Sequence, residues 1–293
     1  MGYSSWSDEA YTRLRSKRKT KGDAEIFAGT SKIHPTMDPK GLKSRESRDS
    51  EEHPDSTAII VAFDVTGSMG HIPVQFAREK LGGLMRMLVE RKYIADPQVL
   101  FVAIGDAVSD RAPLQVGQFE SGLEMDMWLT RIFLERGGGD APESYTLAHW
   151  FAAHHTSVDC WEKRERKGYL FTIGDASPKA MDPGQIERVF GYTPESASIP
   201  GSIKAAMAEW EVFHVHVNDH RDGSIETWTQ LLGDRLLALE HTAAVCELIG
   251  VTIGLGEGTI DGGQAVHDLM EAGVPHNAAL AIRDTAVVAA EAR

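Results

Sequence analysis

At 293 residues, with 42% hydrophobic and 25% charged side chains, the chain has room for one large domain or two modest ones and an ordinary globular balance. No run approaches the ~18–20 uninterrupted apolar residues of a membrane helix. The first six residues show no basic-then-apolar signal pattern, and two cysteines, Cys160 and Cys246, are too few for a disulfide framework, so a reducing cytoplasm is the expected setting. The net charge of −13 is unevenly spread: residues 1–50 hold 11 Lys/Arg against 7 Asp/Glu, which leaves −17 on the rest. An acidic body argues against a duplex-binding surface, which needs clustered cations. It suits a divalent cation.

Taken in chain order, residues 1–55 read as a flexible basic and polar arm. The run from Arg13 to Lys21 is basic, and residues 38–55 are rich in Ser, Pro and charge, so little apolar surface offsets chain entropy. Trp6, Tyr11, Ile26 and Phe27 are the residues able to anchor it. On this reading residues 1–50 are dispensable for folding. The texture changes at Thr57-Ala58-Ile59-Ile60-Val61-Ala62-Phe63, an apolar run ending at Asp64 that predicts a strand buried on both faces. Helical spacing follows over residues 72–91, with Ala77, Leu81, Leu84 and Leu88 on one face. A second buried strand is predicted at 98–104, a weak edge strand at 114–119, and helices at 123–134 and 145–155. Strands at 168–173, 212–217 and 235–239 alternate with a helix at 225–232, and further helices begin at 243, 265 and 278. Strands alternating with helices predict an α/β, doubly wound, mostly parallel sheet covered on both faces, spanning 56–240, with a helical extension at 241–293. Right-handed crossovers then align the strands' carboxyl ends along one edge, where ligands bind in such sheets.

Acids fall on that edge. Asp64, Asp106 and Asp175 each follow a predicted strand, and Asp140 precedes a helix. In Asp64-Val65-Thr66-Gly67-Ser68 a carboxylate and two hydroxyls at i, i+2 and i+4 converge where Gly67 permits an abrupt turn. Oxygen ligands of this kind suit a hard cation such as Mg²⁺. The same residues also suit a plain turn and helix cap. Gly137-Gly138-Gly139-Asp140-Ala141-Pro142-Glu143 reads locally as a helix start, with Asp140 capping and Glu143 completing a capping box, although three glycines exceed what a cap requires.

Together these segments resemble the von Willebrand factor type A (VWA) domain with its metal-ion-dependent adhesion site (MIDAS). Asp64-Val65-Thr66-Gly67-Ser68 is similar to the family's D-x-S-x-S element, with Thr66 replacing the commoner Ser. Residues 137–143 resemble the G-G-G-D-x-P-E form of the second element, and Asp175 matches the last position. The resemblance covers about 185 residues. It implies a six-stranded sheet with one antiparallel edge strand. It further implies Mg²⁺ or Mn²⁺ held by Asp64, Thr66, Ser68, Asp140 and Asp175, directly or through water, and a protein partner that supplies an acidic side chain. For cytoplasmic bacterial members it implies work beside MoxR-type AAA+ ATPases. A binding module rather than an enzyme is expected.

Two alternatives remain at this point. Asp64-Val65-Thr66-Gly67-Ser68 also resembles the nucleophile motif of haloacid dehalogenase-type phosphohydrolases, with Asp175 and Asp182 imitating the acidic motif. The early helix after residue 71 leaves no place for their flap. An RNA-associated VWA scaffold draws support from the basic arm alone. His214-Val215-His216-Val217-Asn218-Asp219-His220 nearly spells the metallo-β-lactamase signature with one residue too many. Buried structural histidines are the expectation there, and His154 and His155 read as polar groups at a helix end.

Overall fold

The apolar run at residues 58–63 forms the centre of the molecule because both of its faces are covered. The computed structural model describes the chain except for residues 1–4, 19, 28–31, 68, 70, 136, 138–141, 196 and 218–222. The strands are β1 (Arg45–Ser47), β2 (Thr57–Asp64), β3 (Pro97–Ile104), β4 (Leu114–Val116), β5 (Thr156–Val158), β6 (Gly168–Gly174), β7 (Trp210–Val217) and β8 (Leu236–Leu239). Among the described residues, six of them form one sheet in the order β4-β3-β2-β6-β7-β8, and β1 pairs with β5 in a second, two-stranded sheet. All neighbours in the large sheet are parallel except β4, which runs antiparallel to β3 at the edge. The doubly wound, mostly parallel sheet expected from the alternation is therefore present.

The helices, in chain order, are α1 (Asp8–Ser16), α2 (Asp23–Ile26), α3 (His71–Gln75), α4 (Leu81–Met85), α5 (Glu124–Thr130), α6 (Thr146–His154) and α7 (Asp159–Glu162). They continue with α8 (Pro183–Phe190), α9 (Ile199–Ala206), α10 (Ser224–Leu232), α11 (Val245–Gly256), α12 (Gly262–Glu271) and α13 (His276–Glu291). Alternation along β2 divides the core. Ile59, Val61 and Phe63 face one layer, with Leu84, Leu248, Ile249 and Ala286 among its members. Ala58, Ile60 and Ala62 face the other, with Leu147, Phe151, Ile186 and Trp228. The single helix read over 72–91 is a continuous run in which π-helical turns, Phe76–Lys80 and Arg86–Glu90, flank α4. Helices α8 and α9, eight residues each, are not among the elements read from the sequence. Local capping gives them away: Asp182 and Gln185 form a capping box at α8, and Ser198 caps α9.

The segment read as a flexible arm is anchored to the body at several points along its described length. Tyr11 on α1 is buried against α4, where a Cβ at Gly82 would stand 2.6 Å from its ring. Arg18 makes a bidentate ion pair with buried Asp126. Strand β1 aligns with β5, Ser47 donates to Gln98 at 2.8 Å, and Arg48 reaches Asp159 at 2.8 Å. Asp49 accepts from Arg164 at 2.8 and 3.1 Å and from both the amide and the hydroxyl of Ser56. Composition suggested disorder because it counts apolar residues. The attachment here uses a few anchors and many ion pairs. Residues 241–293, read as an extension, likewise belong to the core: α11 is buried from Val245 through Gly254 in the same layer as β2.

Candidate metal centre

Parallel pairing brings the carboxyl ends of β3, β2 and β6 side by side, with Asp64 paired to Ile104 and Phe63 to Ile173. Asp64 closes β2, and Asp175 follows the last residue of β6. Both are buried. Immediately after β2 the chain turns so that the Thr66 amide and hydroxyl both donate to Asp64 Oδ1, at 2.8 and 2.5 Å. The Gly67 amide then donates to the Gly137 carbonyl at 2.9 Å, which ties the Asp64 loop to the glycine-rich one. Of the five residues implied as ligands, Asp64, Thr66 and Asp175 come together here. Ser68 and Asp140 lie outside the described residues.

Glu143 does not complete a capping box. Helix α6 begins at Thr146, so Glu143 precedes it and is used otherwise. Its amide donates to Ser177 O at 2.9 Å, and its carbonyl accepts from the Lys179 amide at 2.7 Å, a parallel bridge to the loop after β6. The side chain is 3% exposed, and among the described residues Oε2 has no hydrogen-bond partner. Leaving a buried polar group unsatisfied costs about 1–3 kcal/mol, more for a charged one. Burial, together with the charges of Asp64 and Asp106, raises the Glu143 carboxyl to about 8, although the Thr66 hydroxyl and Lys179 work against the rise. Glu143 is the site residue the sequence reading missed. Its signal was present in the surplus of glycines beside it.

Tyr145 was also missed as a site residue. Its hydroxyl donates to Asp64 Oδ2 at 2.7 Å, and its ring lies edge-on to His214 and Trp228. A Cβ at Gly174 would overlap that hydroxyl, so β6 ends in glycine where the tyrosine passes. Burial raises Asp64 to about 6 despite the donors from Thr66 and Tyr145, and the charge of Asp175 adds to the rise.

Asp106, the acid after β3, serves the fold. It accepts from Lys179 at 2.7 Å, from the Val108 and Ser109 amides, and from the Ser109 hydroxyl. Burial opposes its charge, but these donors hold its carboxyl below the usual range. Asp182 caps α8. His214 and His216 are buried on β7, with His214 stacked on Trp228 at 3.7 Å and joined to Thr172 at 2.9 Å. Asn218, Asp219 and His220 lie outside the described residues. His155 is buried rather than solvated, and its ring joins Leu42 O and the Tyr192 hydroxyl.

Buried carboxylates with raised proton affinity, a hydroxyl held beside them and an orphaned carboxylate oxygen form a donor set that fits a hard divalent cation. A different group, His267, Asp268 and Glu271, brings three metal-type ligand atoms within 4.8 Å of one another. It is occupied by ion pairing, since Arg91 reaches both acids and Tyr93 donates to Asp268.

No protein-family model matches the chain, and no curated protein matches it. Solved structures do resemble it. The pilus adhesin SpaC from Lactobacillus rhamnosus GG, in its open conformation, aligns over 74% of this chain and 31% of its own, at 10% identity and a TM-score of 0.47. Proximal thread matrix protein 1 from the mussel byssus aligns over 72% of this chain and 49% of its own, at 11% identity and a TM-score of 0.42. A form of that protein with a zinc-occupied MIDAS motif aligns at 10% identity and a TM-score of 0.40. The chain thus spans about a third of the adhesin and half of the byssus protein. Likenesses of this size carry no argument about the site, which stands on its own residues. Among the described residues no helix is long and apolar enough to cross a membrane.

Proposed function

We propose that this chain is a VWA-type interaction module that holds a divalent cation, Mg²⁺ or Mn²⁺, and uses it to take a carboxylate from a protein partner. Support comes chiefly from Asp64, Thr66, Glu143 and Asp175 meeting near adjacent strand ends, where burial and neighbouring acids raise the proton affinity of Asp64 and Glu143. The motif match extends the ligand set to Ser68 and Asp140. A bound cation supplies a Lewis-acidic position that an acidic side chain fills better than a neutral one, while the acids around it repel any carboxylate arriving without the metal. A MoxR-type AAA+ ATPase in the cytoplasm is the partner class that the family resemblance suggests.

Binding is favoured over catalysis by the state of Asp64. It is fully buried, and both its oxygens accept hydrogen bonds, from Thr66 and Tyr145. A phosphohydrolase nucleophile must instead offer an oxygen to its substrate. The chain also enters a helix at His71, where the flap would begin, and Asp182 is spent as a cap. The RNA-scaffold alternative loses part of its basic segment, since Arg18 is bound to Asp126. Calorimetry with Mg²⁺ and Mn²⁺ tests the proposal: the wild-type chain should bind one ion and Asp64→Ala should bind it at least ~10-fold more weakly. Equal binding by both would overturn it, and Asp64-dependent hydrolysis of a phosphate ester would favour the phosphohydrolase.

A further inference from the structure

We infer that the docked amino-terminal segment completes a second binding site, an arginine-lined cavity that takes a phosphate group, free or as the head of a small phosphorylated molecule. The site shares no residue with the metal centre and does not depend on the function proposed there.

Three stretches of chain meet at this cavity. On α1, Thr12, Arg15 and Ser16 share one face, as residues three and four apart do. Arg18 follows in the turn after that helix, and Arg78 comes from the π-helical turn Phe76–Lys80. With Glu79 they line a cavity of about 210 Å³. Arg15 and Arg18 belong to the amino-terminal segment and Arg78 to the body, so docking creates the wall. Two contacts lock it: Arg18 grips buried Asp126, and Arg78 donates to the Lys21 carbonyl at 2.7 Å. Single π turns are rare and recur at functional sites.

The lining carries three cations against one acid. Asp126, which is buried, answers part of that charge through Arg18. A guanidinium offers five N–H donors in a planar fork. Asp126 takes two of those on Arg18, which leaves three. Arg15 is exposed and makes no ion pair among the described residues. Ser16 gives its proton to the Thr12 carbonyl at 2.8 Å, so the hydroxyl donor on this face is that of Thr12. An anion that accepts from several donors at once suits such a wall. Phosphate, with its oxygens spread around one centre, does so better than a carboxylate.

Size narrows the ligand further. At ~30 Å³ per water the cavity holds about seven waters, and it falls below the ~300 Å³ at which whole small molecules are enclosed. It therefore takes the phosphate group and leaves any ester-bound remainder outside. On a chain with a net charge of −13, a cationic concavity is where anions collect.

The experiment uses the full chain in EDTA at fixed ionic strength. Calorimetric titrations compare inorganic phosphate, pyrophosphate, glycerol 3-phosphate and acetate. One site per chain is expected for the phosphate probes, with acetate at least ~10-fold weaker. Glycerol 3-phosphate binding as well as phosphate would identify an ester-borne group, and ~10-fold weaker binding would identify the free ion. Arg15→Ala should weaken pyrophosphate binding by about 10-fold and melt like the wild type, because its side chain is exposed. Glu79→Gln should tighten binding by about 3-fold, a gain that damage to the fold would not produce. Wild-type affinity in Arg15→Ala would overturn the inference. So would weaker binding in Glu79→Gln, acetate binding as tightly as phosphate, or no saturable binding of any phosphate probe. With metal absent throughout, none of these outcomes bears on the metal-module reading.

Discussion

Two groups of buried or half-buried acids sit at opposite ends of the same central strand, and they are treated differently. At the amino end of β2, Asp49 faces Arg164, Lys163 and Ser56, and Asp159 faces Arg48, Lys163 and the Asp49 amide. Burial opposes ionisation at both, yet the cations and donors prevail and hold both carboxyls below their ordinary range. At the carboxyl end, burial prevails and Asp64 and Glu143 are pushed upward. Acids with their counter-charges built in hold the chain together. Asp64 and Glu143 are less fully compensated, which is what the proposed cation role calls for.

The severest way to break this comparison is to delete residues 1–50, which removes the Tyr11 anchor, the Arg18–Asp126 pair and Asp49 together. A loss of at least ~10 °C in melting temperature is expected by calorimetry. A shift under ~2 °C would mean that the amino-end pairs contribute little. Matched substitutions then sharpen it. Asp49→Asn leaves Arg164 and Lys163 facing a neutral group and should cost about 1–2 kcal/mol in urea unfolding. Asp64→Asn, measured in EDTA, should cost less than about 1 kcal/mol or be stabilising, because it removes a poorly compensated charge. Equal losses would erase the distinction.

His149 extends the same principle to a base. It is fully buried, neither ring nitrogen has a hydrogen-bond partner among the described residues, and burial lowers its pKa from 6.5 to about 4. Between those values the unfolded chain takes up a proton that the folded chain refuses. Its contribution is therefore complete above pH 6.5 and should fall by about 3 kcal/mol as the pH drops to 4. Urea titrations at pH 7, 5 and 4 check this, and His149→Leu should remove most of the slope. The smallest effect is expected at Arg13, whose pairing with Glu9 is exposed on α1. Arg13→Ala should change stability by less than about 0.5 kcal/mol. A larger loss would show that exposed pairs, and not only buried ones, hold the amino-terminal segment.

The amino-acid sequence by itself determined the sheet. Residues 58–63, 99–104 and 169–173 are short apolar runs that bury well only between two helical layers, and each ends near an acid, so the acidic edge followed from local pattern. It also determined Asp64, Thr66 and Asp175 as neighbours, since parallel strands bring their carboxyl ends together. Tertiary structure decided the rest. Glu143 looks like a helix cap when only its chain neighbours are counted, and becomes a site acid because its backbone bridges to residues 177–179. Tyr145 meets Asp64 across 81 positions of chain, and Arg18 meets Asp126 across 108. Periodicity reports what a residue does to its own helix or strand. Hydrogen bonds and ion pairs between distant segments depend on where the packed layers bring them, and no local pattern encodes that approach.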